Sequence, residues 1–451
     1  MPTNRRKFLI SATQLAAGFG LASIPHTGIA NNFLKEEGGT SNLSANEMVR
    51  VALIGCNSMG FADLTSLLKH SGVECIALCD VDSNVLNSRA AELEKRSGKK
   101  PLLYSDYRKL LENKDLDAVI IGTPDHWHCL QMIHACEAGK DVYVEKPIAN
   151  SIEECDLMVA AAKKYNRIVQ VGQWQRSDPH WINALDYLRS GKLGKIRSAK
   201  TWAYVNYGRD FPVKPDGPVP AGVDYTRWLG PAPHRPFNPN RFHGSFRYFW
   251  DYAGGLMTDW GVHMIDMVLA GMNVTLPNSV AVTGGKYGYP DSAAETPDTL
   301  QAVYDFGGFS MVWEQALGAG RGPYNRTAGN PGVAFVGNNG TLVIDRDTWE
   351  VLPEVENGKF LVEAIPVQTN RWSGLDHHTL NWLECIRSRK QPNCTIEMGR
   401  NSAINAQLGN IAYRSNTKVY WDKNKGTMIN NPKAALMAKA RYNTPWKLPK
   451  V

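Results

Sequence analysis

The segment Val51-Ala-Leu-Ile-Gly55-Cys-Asn57-Ser-Met-Gly60 joins a short apolar, β-branched run to the start of a helical pattern. Val49–Ile54 reads as a buried strand, and apolar residues recur at helical spacing over 59–70. Gly55 permits a tight turn, and Gly60 lets the helix approach the strand closely. Backbone N–H groups around Asn57, Ser58 and Met59 at the helix start can then hold a pyrophosphate. The middle position of the usual three-glycine pattern is Asn57, which tolerates left-handed backbone angles but crowds the phosphate approach. Asp80 ends the next strand (Cys75–Cys79), about 20 residues beyond the turn. A carboxylate there accepts from both ribose hydroxyls and repels a 2′-phosphate, which favours NAD over NADP.

The alternation continues along the chain. Residues 84–96 read as a helix, Asp117–Gly122 as a strand, Cys129–Ala138 as a helix closed by Gly139, Asp141–Val144 as a strand, 152–165 as a helix and Ile168–Val171 as a strand. Short apolar strands separated by amphipathic helices predict a Rossmann-type, doubly wound parallel sheet over 49–172, with its ligand at the carboxyl ends of the strands. Those ends carry Thr123-Pro124-Asp125-His126-Trp127-His128 and Glu145-Lys146-Pro147. Thr123, Pro124, His126, His128, Glu145 and Lys146 are therefore assigned to the cofactor cleft. His126 and His128 have no third ligand nearby in sequence, so no metal is expected.

Beyond residue 172 the pattern changes. Ile196–Tyr204, Ser279–Lys286, Asp298–Phe306, Phe309–Ala316, Val333–Val336 and Gly340–Asp345 alternate like half-buried strands. Tyr207–Phe249, rich in Pro, Gly, Trp, Arg and Asn, is a long loop of the kind that shapes a pocket. Leu380–Arg387 and Ser402–Arg414 read as amphipathic helices, and 423–451 as an extended arm that either crosses a subunit boundary or is solvated. Aromatic faces stack on sugar C–H surfaces, so Trp174, Trp250 and Tyr252, with Arg176, are candidate substrate contacts, although packing is the default role of each aromatic. Asp259 and His263 stand four apart, which on a helix places them on one face. Histidine has the intrinsic pKa to take a hydroxyl proton as hydride leaves the carbon, and a nearby carboxylate can orient it.

Gly55–Gly60, the Thr-Pro…His of 123–128 and Glu145-Lys146-Pro147 resemble the glucose–fructose oxidoreductase/inositol dehydrogenase (Gfo/Idh/MocA) family. The likeness continues through Asp259-Trp-Gly-Val-His263, Phe335-Val-Gly-Asn-Asn-Gly340-Thr-Leu and His378…Trp382-Leu…Ile386-Arg, over nearly all of residues 49–422. It implies that the second domain (173–422) is α+β, with an open, mostly antiparallel sheet whose face meets the cofactor cleft. It further implies that Lys146, Asp259 and His263 are the catalytic trio, with the histidine as acid/base, and that the chain forms a homo-oligomer, dimer or tetramer.

The N-terminus carries Asn4-Arg5-Arg6-Lys7-Phe8-Leu9, an apolar stretch to Ile24, and Gly28-Ile29-Ala30. This reads as a twin-arginine signal peptide over 1–30, followed by a linker over 31–48, and predicts a periplasmic protein without a membrane span in its mature form. Arg5, Arg6 and Lys7 supply part of the formal charge of +7, leaving a mildly basic chain that does not suggest nucleic acid. The eight cysteines show no CxxC or Cys/His spacing and read mainly as small buried hydrophobes.

Together these features predict an NAD-dependent oxidoreductase acting on a secondary hydroxyl of a sugar or glycoside. Free NAD is scarce outside the cytoplasm, so the cofactor is expected to stay bound and the net reaction to be redox-neutral. Two alternatives stand beside this: a glycosidase working by oxidation, elimination and reduction, with His263 or Tyr252 serving the elimination, and a non-catalytic sugar-binding protein.

Overall fold

The structure, a computed structural model, describes residues 48–207, 210–326 and 330–451. The export segment and all but the last residue of the linker lie outside the described residues. Six strands form the first sheet: β1 (Val49–Ile54), β2 (Val73–Cys79), β3 (Leu102–Tyr104), β4 (Ala118–Ile121), β5 (Asp141–Val144) and β6 (Val169–Val171). All are parallel, in the order β3-β2-β1-β4-β5-β6. β4 and β5 are buried throughout, as continuous apolar strands covered on both faces must be. The order reverses between β1 and β4, and their carboxyl ends open the ligand crevice of this topology.

Three glycines close that crevice tightly. A Cβ on Gly55 (φ +87°) would lie 2.7 Å from the Gly122 carbonyl carbon and the Thr123 nitrogen. One on Gly60 would meet the Gly55 oxygen at 2.5 Å, and one on Gly122 the Gly60 Cα at 2.5 Å. Asn57 is not the left-handed residue: it is extended (φ −96°, ψ 159°) and caps the Ser58–Leu67 helix by accepting from the Ser58 N–H. Ser58 takes the positive φ, at +46°. The three-residue edge strand β3 and the five-residue Tyr107–Leu111 helix are too short for a periodicity to stand out in the sequence.

The second sheet comprises β7 (Ser198–Val205), β8 (Ser279–Gly285), β9 (Thr299–Asp305), β10 (Ser310–Leu317), β11 (Gly332–Val336), β12 (Gly340–Asp345) and β13 (Thr348–Pro353). A small hairpin of β14 (Val355–Glu356) and β15 (Lys359–Phe360) precedes β16 (Ile365–Thr369), β17 (Val419–Asp422) and β18 (Thr427–Met428). The sheet order is β16-β13-β12-β11-β7-β10-β9-β8-β17-β18, and among the described residues only the β7–β10 pair is parallel. Along β9 and β10 buried residues alternate with more exposed ones, so one face is covered. The Gly261–Met272 and Ile396–Ser415 helices pack against that face, and the latter also packs on the Ile152–Lys164 helix of the first sheet. The Gly374–Ser388 helix returns to the Ser58–Leu67 helix, where Asp376 takes Ser66 Oγ (2.6 Å) and Lys69 Nζ (2.8 Å).

Asp259 and His263 do not share one uninterrupted helix. A first turn, Leu256–Asp259, ends at Trp260 (φ −92°, ψ −34°), and a second helix runs Gly261–Met272. The C-terminal arm packs on its own chain. Its backbone and side chains grip Glu153, Glu154 and Pro231, with the Tyr442 hydroxyl donating to Glu154 Oε1 at 2.8 Å. The arm ends by setting the Trp446 ring edge-on against Trp127, 4.9 Å between centroids. All eight cysteines are free, and all but Cys75 are buried.

Candidate active site

The glycine turn, the ends of β2 and β4, and Glu145-Lys146 after β5 line one continuous cleft. At its outer end Asp80 accepts the Cys56 N–H (2.7 Å) and the Asp82 N–H (2.9 Å), one on each carboxylate oxygen. Each oxygen keeps lone-pair capacity for a ribose hydroxyl. The two arginines that line this end are paired, Arg108 with Asp106 (2.6 Å) and Arg227 with Asp224 (3.3 Å), so among the described residues neither is left unpaired beside Asp80 for a 2′-phosphate. Thr123, Pro124 and His128 line the cleft, and the His128 ring spans the carbonyls of Thr123 (2.8 Å) and Pro147 (2.7 Å). The ring thereby holds the β4 turn against the turn that carries Lys146, whose bond to Pro147 is cis.

His126 does not join them. It is buried, bonded to the Trp228 carbonyl (3.1 Å), and packed on Trp228 and Tyr252, away from the cofactor side. The helix puts it on the face opposite the cleft.

The long Tyr207–Phe249 loop crosses this cleft as a strap. Ser83 N–H bonds Gly222 O (2.9 Å), Asp224 N–H bonds Val81 O (2.8 Å), and His243 Nε2 lies 3.2 Å from Asp82. Phe242, Phe246 and Arg247 from the strap and Trp446 from the arm complete the walls. The glycine cradle that no Cβ could enter, the ribose-ready Asp80, and a lysine at the inner end fit an extended dinucleotide. Asn57, Ser58 and Met59 line its phosphate turn.

At the inner end Lys146 Nζ contacts Asp259 Oδ1 at 2.7 Å, and Arg247 Nε contacts the same oxygen at 3.2 Å. Burial alone would raise the Asp259 pKa, but Lys146 and Arg247 hold it well below the usual carboxylate range. His263 makes no hydrogen bond to Asp259; its Nδ1 is sealed and unpartnered, and the ring lies 5.9 Å from that of Trp260. Burial first, then Lys146 and Arg346, depress its pKa, so the ring is neutral at pH 7. Two further carboxyls stand close by. Burial pushes Asp125 up to about 8 and Glu145 up to about 7, against the pull of Lys146 and Arg247.

The remaining wall comes from sequence-distant residues. Trp260 Nε1 donates to the Tyr207 hydroxyl. Arg346, just past β12, places its guanidinium 4.5 Å from the Trp174 ring and 4.3 Å from the Trp260 ring. Trp174 is thus at the site. Arg176, Trp250 and Tyr252 are not. Arg176 is locked onto the fully buried Asp266 by two bonds of 2.7 and 2.8 Å, a brace between two helical segments. Trp250 carries Arg414 on its face, 4.8 Å away, and donates to the Glu295 carbonyl beside a second cavity. Tyr252 is wholly buried against Trp228 and His126. Of the residues now seen at the site, Arg247 and Tyr207 lie at the ends of the loop flagged as pocket-shaping. Nothing in the sequence singled out Arg346 or Trp446.

Comparison with known proteins agrees with this architecture. The family model GFO_IDH_MocA, an oxidoreductase family with an NAD-binding Rossmann fold, matches residues 49–173. Its companion, the C-terminal alpha/beta domain, matches residues 195–312, and together they take in more than half of the chain. A glycosyl hydrolase family 109 protein of Shewanella putrefaciens is 32% identical over 212 residues, 45% of this chain and 46% of its own length. An alpha-N-acetylgalactosaminidase of Shewanella oneidensis is 30% identical over the same shares. The chain thus matches about half the length of these curated relatives. Among solved structures, levoglucosan dehydrogenase in complex with NADH superposes with a TM-score of 0.63 at 20% identity, covering 82% of this chain and 98% of that one. Aldose-aldose oxidoreductase from Caulobacter crescentus gives 0.60 at 19% identity, covering 83% and 99%. Both share the fold. The two-domain match, on a chain with this cleft, shows that the protein belongs to the Gfo/Idh/MocA oxidoreductase family, with an NAD-binding Rossmann domain at its N-terminal side.

Proposed function

We propose that the protein oxidises a secondary hydroxyl of a sugar or glycoside and keeps its NAD between turnovers. The observation that carries this is the inner end of the cleft, where Lys146, bonded to Asp259, stands beside a neutral His263. Bound NAD would supply the hydride acceptor and, later, the hydride donor. Lys146 can donate to the substrate oxygen, stabilising negative charge as its proton leaves. His263, uncharged, is in the form that can accept that proton. Asp259, kept ionised by two cations, fixes the lysine and can accept from a neighbouring hydroxyl. Asn57, Ser58, Met59 and Asp80 would hold the phosphate and ribose, with Thr123, Pro124, His128 and Glu145 along the way to Lys146.

Retention is supported by the strap and arm that wall the cleft, and by the Arg5-Arg6 pair, which we read as sending the folded protein to the periplasm. We infer a homo-oligomer as well, since β9 and β10 of the second sheet turn a partly exposed face outward.

A second reading, an oxidation–elimination–reduction glycosidase, is favoured by the relatives named as glycosyl hydrolases and as an alpha-N-acetylgalactosaminidase. A ketone beside C2 acidifies its proton; elimination expels the aglycone, water adds, and the ketone is reduced. Tyr207, not Tyr252, is the tyrosine near Asp259 and Trp260 for such a step. The test is a panel of glycosides incubated without added NAD. A two-dalton loss marks oxidation, free aglycone with solvent deuterium at C2 marks the glycosidase cycle, and unchanged glycosides under all conditions reject both.

A further inference from the structure

Three cations, Lys146, Arg247 and Arg346, gather at the substrate side of the cleft among the carboxyls of Asp125, Glu145 and Asp259. Lys146 and Arg247 already share Asp259. Arg346 makes no bond to Asp259, although that carboxylate lies within electrostatic range of it. Among the described residues its side chain has no hydrogen bond or ion pair, and its Nε is sealed from solvent. Its guanidinium is gripped by the rings of Trp174 (4.5 Å) and Trp260 (4.3 Å). The backbone there is fixed, because the Arg346 carbonyl accepts from Asn370 Nδ2 at 2.9 Å. The preceding carboxylate, Asp345, belongs to Arg326 at 3.2 Å and is not available to Arg346.

A desolvated cation that bonds no carboxylate is costly even with Asp259, Glu145 and Asp347 in electrostatic range, and indole faces offset only part of that cost. With two indoles against it, the guanidinium offers its N–H edge, and a carboxylate matches that edge with two oxygens. Resting on the sugar-oxidoreductase reading above, we propose that Arg346 receives a carboxylate of the substrate, which is therefore a uronic acid or a uronic-acid glycoside. The position also has a chemical consequence. Arg346 is one of the two cations that disfavour protonation of His263. A carboxylate on Arg346 offsets that field, so a correctly charged substrate makes its own proton acceptor more basic.

The test pairs methyl uronides with the matching neutral methyl glycosides and with sugar sulfates. Binding to the purified, nucleotide-loaded protein is read by calorimetry and by the fluorescence of the tryptophans that flank Arg346. Wild type should bind a uronide at least about tenfold more tightly than its neutral counterpart. Arg346→Met should erase that preference while keeping its nucleotide and melting temperature, and Arg346→Lys should restore part of it. Equal binding of charged and neutral sugars, or a preference that survives Arg346→Met, overturns the assignment, and a preference for sulfates overturns the choice of carboxylate. Preferential oxidation of neutral sugars would sink the uronate inference and leave the oxidoreductase reading intact. Tight, Arg346-dependent uronide binding with no oxidation of any sugar would do the reverse.

Discussion

Replacing Trp446 with alanine should loosen the cofactor without touching the chemistry. The indole closes the cleft wall from the C-terminal arm, held edge-on by Trp127 at 4.9 Å and capped by the Arg108 guanidinium at 5.1 Å. The aromatic pair contributes about 0.5–1.5 kcal/mol. The cation–π contact, at a partly exposed position, adds about 0.5–1 kcal/mol. If the nucleotide leaves by displacing this segment, Trp446→Ala lowers the opening cost by about 1–2.5 kcal/mol, which is roughly a 5- to 70-fold faster release. The assay dilutes loaded protein into an NAD-consuming trap and follows free nucleotide with time. Circular dichroism should show an unchanged fold, because the arm's other anchors at Glu153, Glu154 and Pro231 remain. An unaltered release rate would refute the reasoning and move the exit path to the strap.

Three further outcomes are expected. Asp259→Asn leaves Lys146 and Arg247 without their shared counter-ion and should cost about 3–5 kcal/mol in urea unfolding, with loss of turnover; an unchanged midpoint contradicts the charge arrangement. Asp125 has a folded pKa of about 8, well above its unfolded value, so the native state binds the extra proton and stability falls as pH rises towards 8. Buried histidines with lowered pKa values act in the opposite sense only below about pH 6.5; between pH 6.5 and 8, wild type should therefore lose stability relative to Asp125→Asn, and parallel curves would remove the shifted carboxyl. Gly55→Ala places a Cβ 2.7 Å from two backbone atoms of the β4 turn at a positive φ, and should yield protein purified without nucleotide; normal nucleotide content would contradict the cradle.

What was legible in the sequence was local. The glycine turn, Asp80 at the end of β2 and the Glu145-Lys146 turn each announce themselves within a few residues of a strand, because a parallel sheet puts its ligand where its strands stop. The failures were of facing and of distance. His126 and His128 differ by two positions, which on a helix sends them to different sides, one to the core and one to the cleft. Arg176 and Trp250 have the chemistry of substrate contacts, but Asp266 and Glu295, 90 and 45 residues away, had already claimed them. Trp260 interrupts the single helix that the Asp259/His263 spacing implied, and its indole meets Tyr207 and Arg346. Those partners come from a loop end and a strand end, and no periodicity in one stretch could have brought them together.

The central claim is that this cleft oxidises a sugar with an NAD that does not leave. Purified protein, with no nucleotide added, should be mixed with the uronide and glycoside panel while absorbance at the reduced-nicotinamide band is followed. The account expects protein-bound NAD to be reduced within the first turnover, then re-oxidised on addition of a carbonyl sugar, with no nucleotide passing a filter. Protein that is purified empty and turns over only with added, freely exchanging NAD would contradict it.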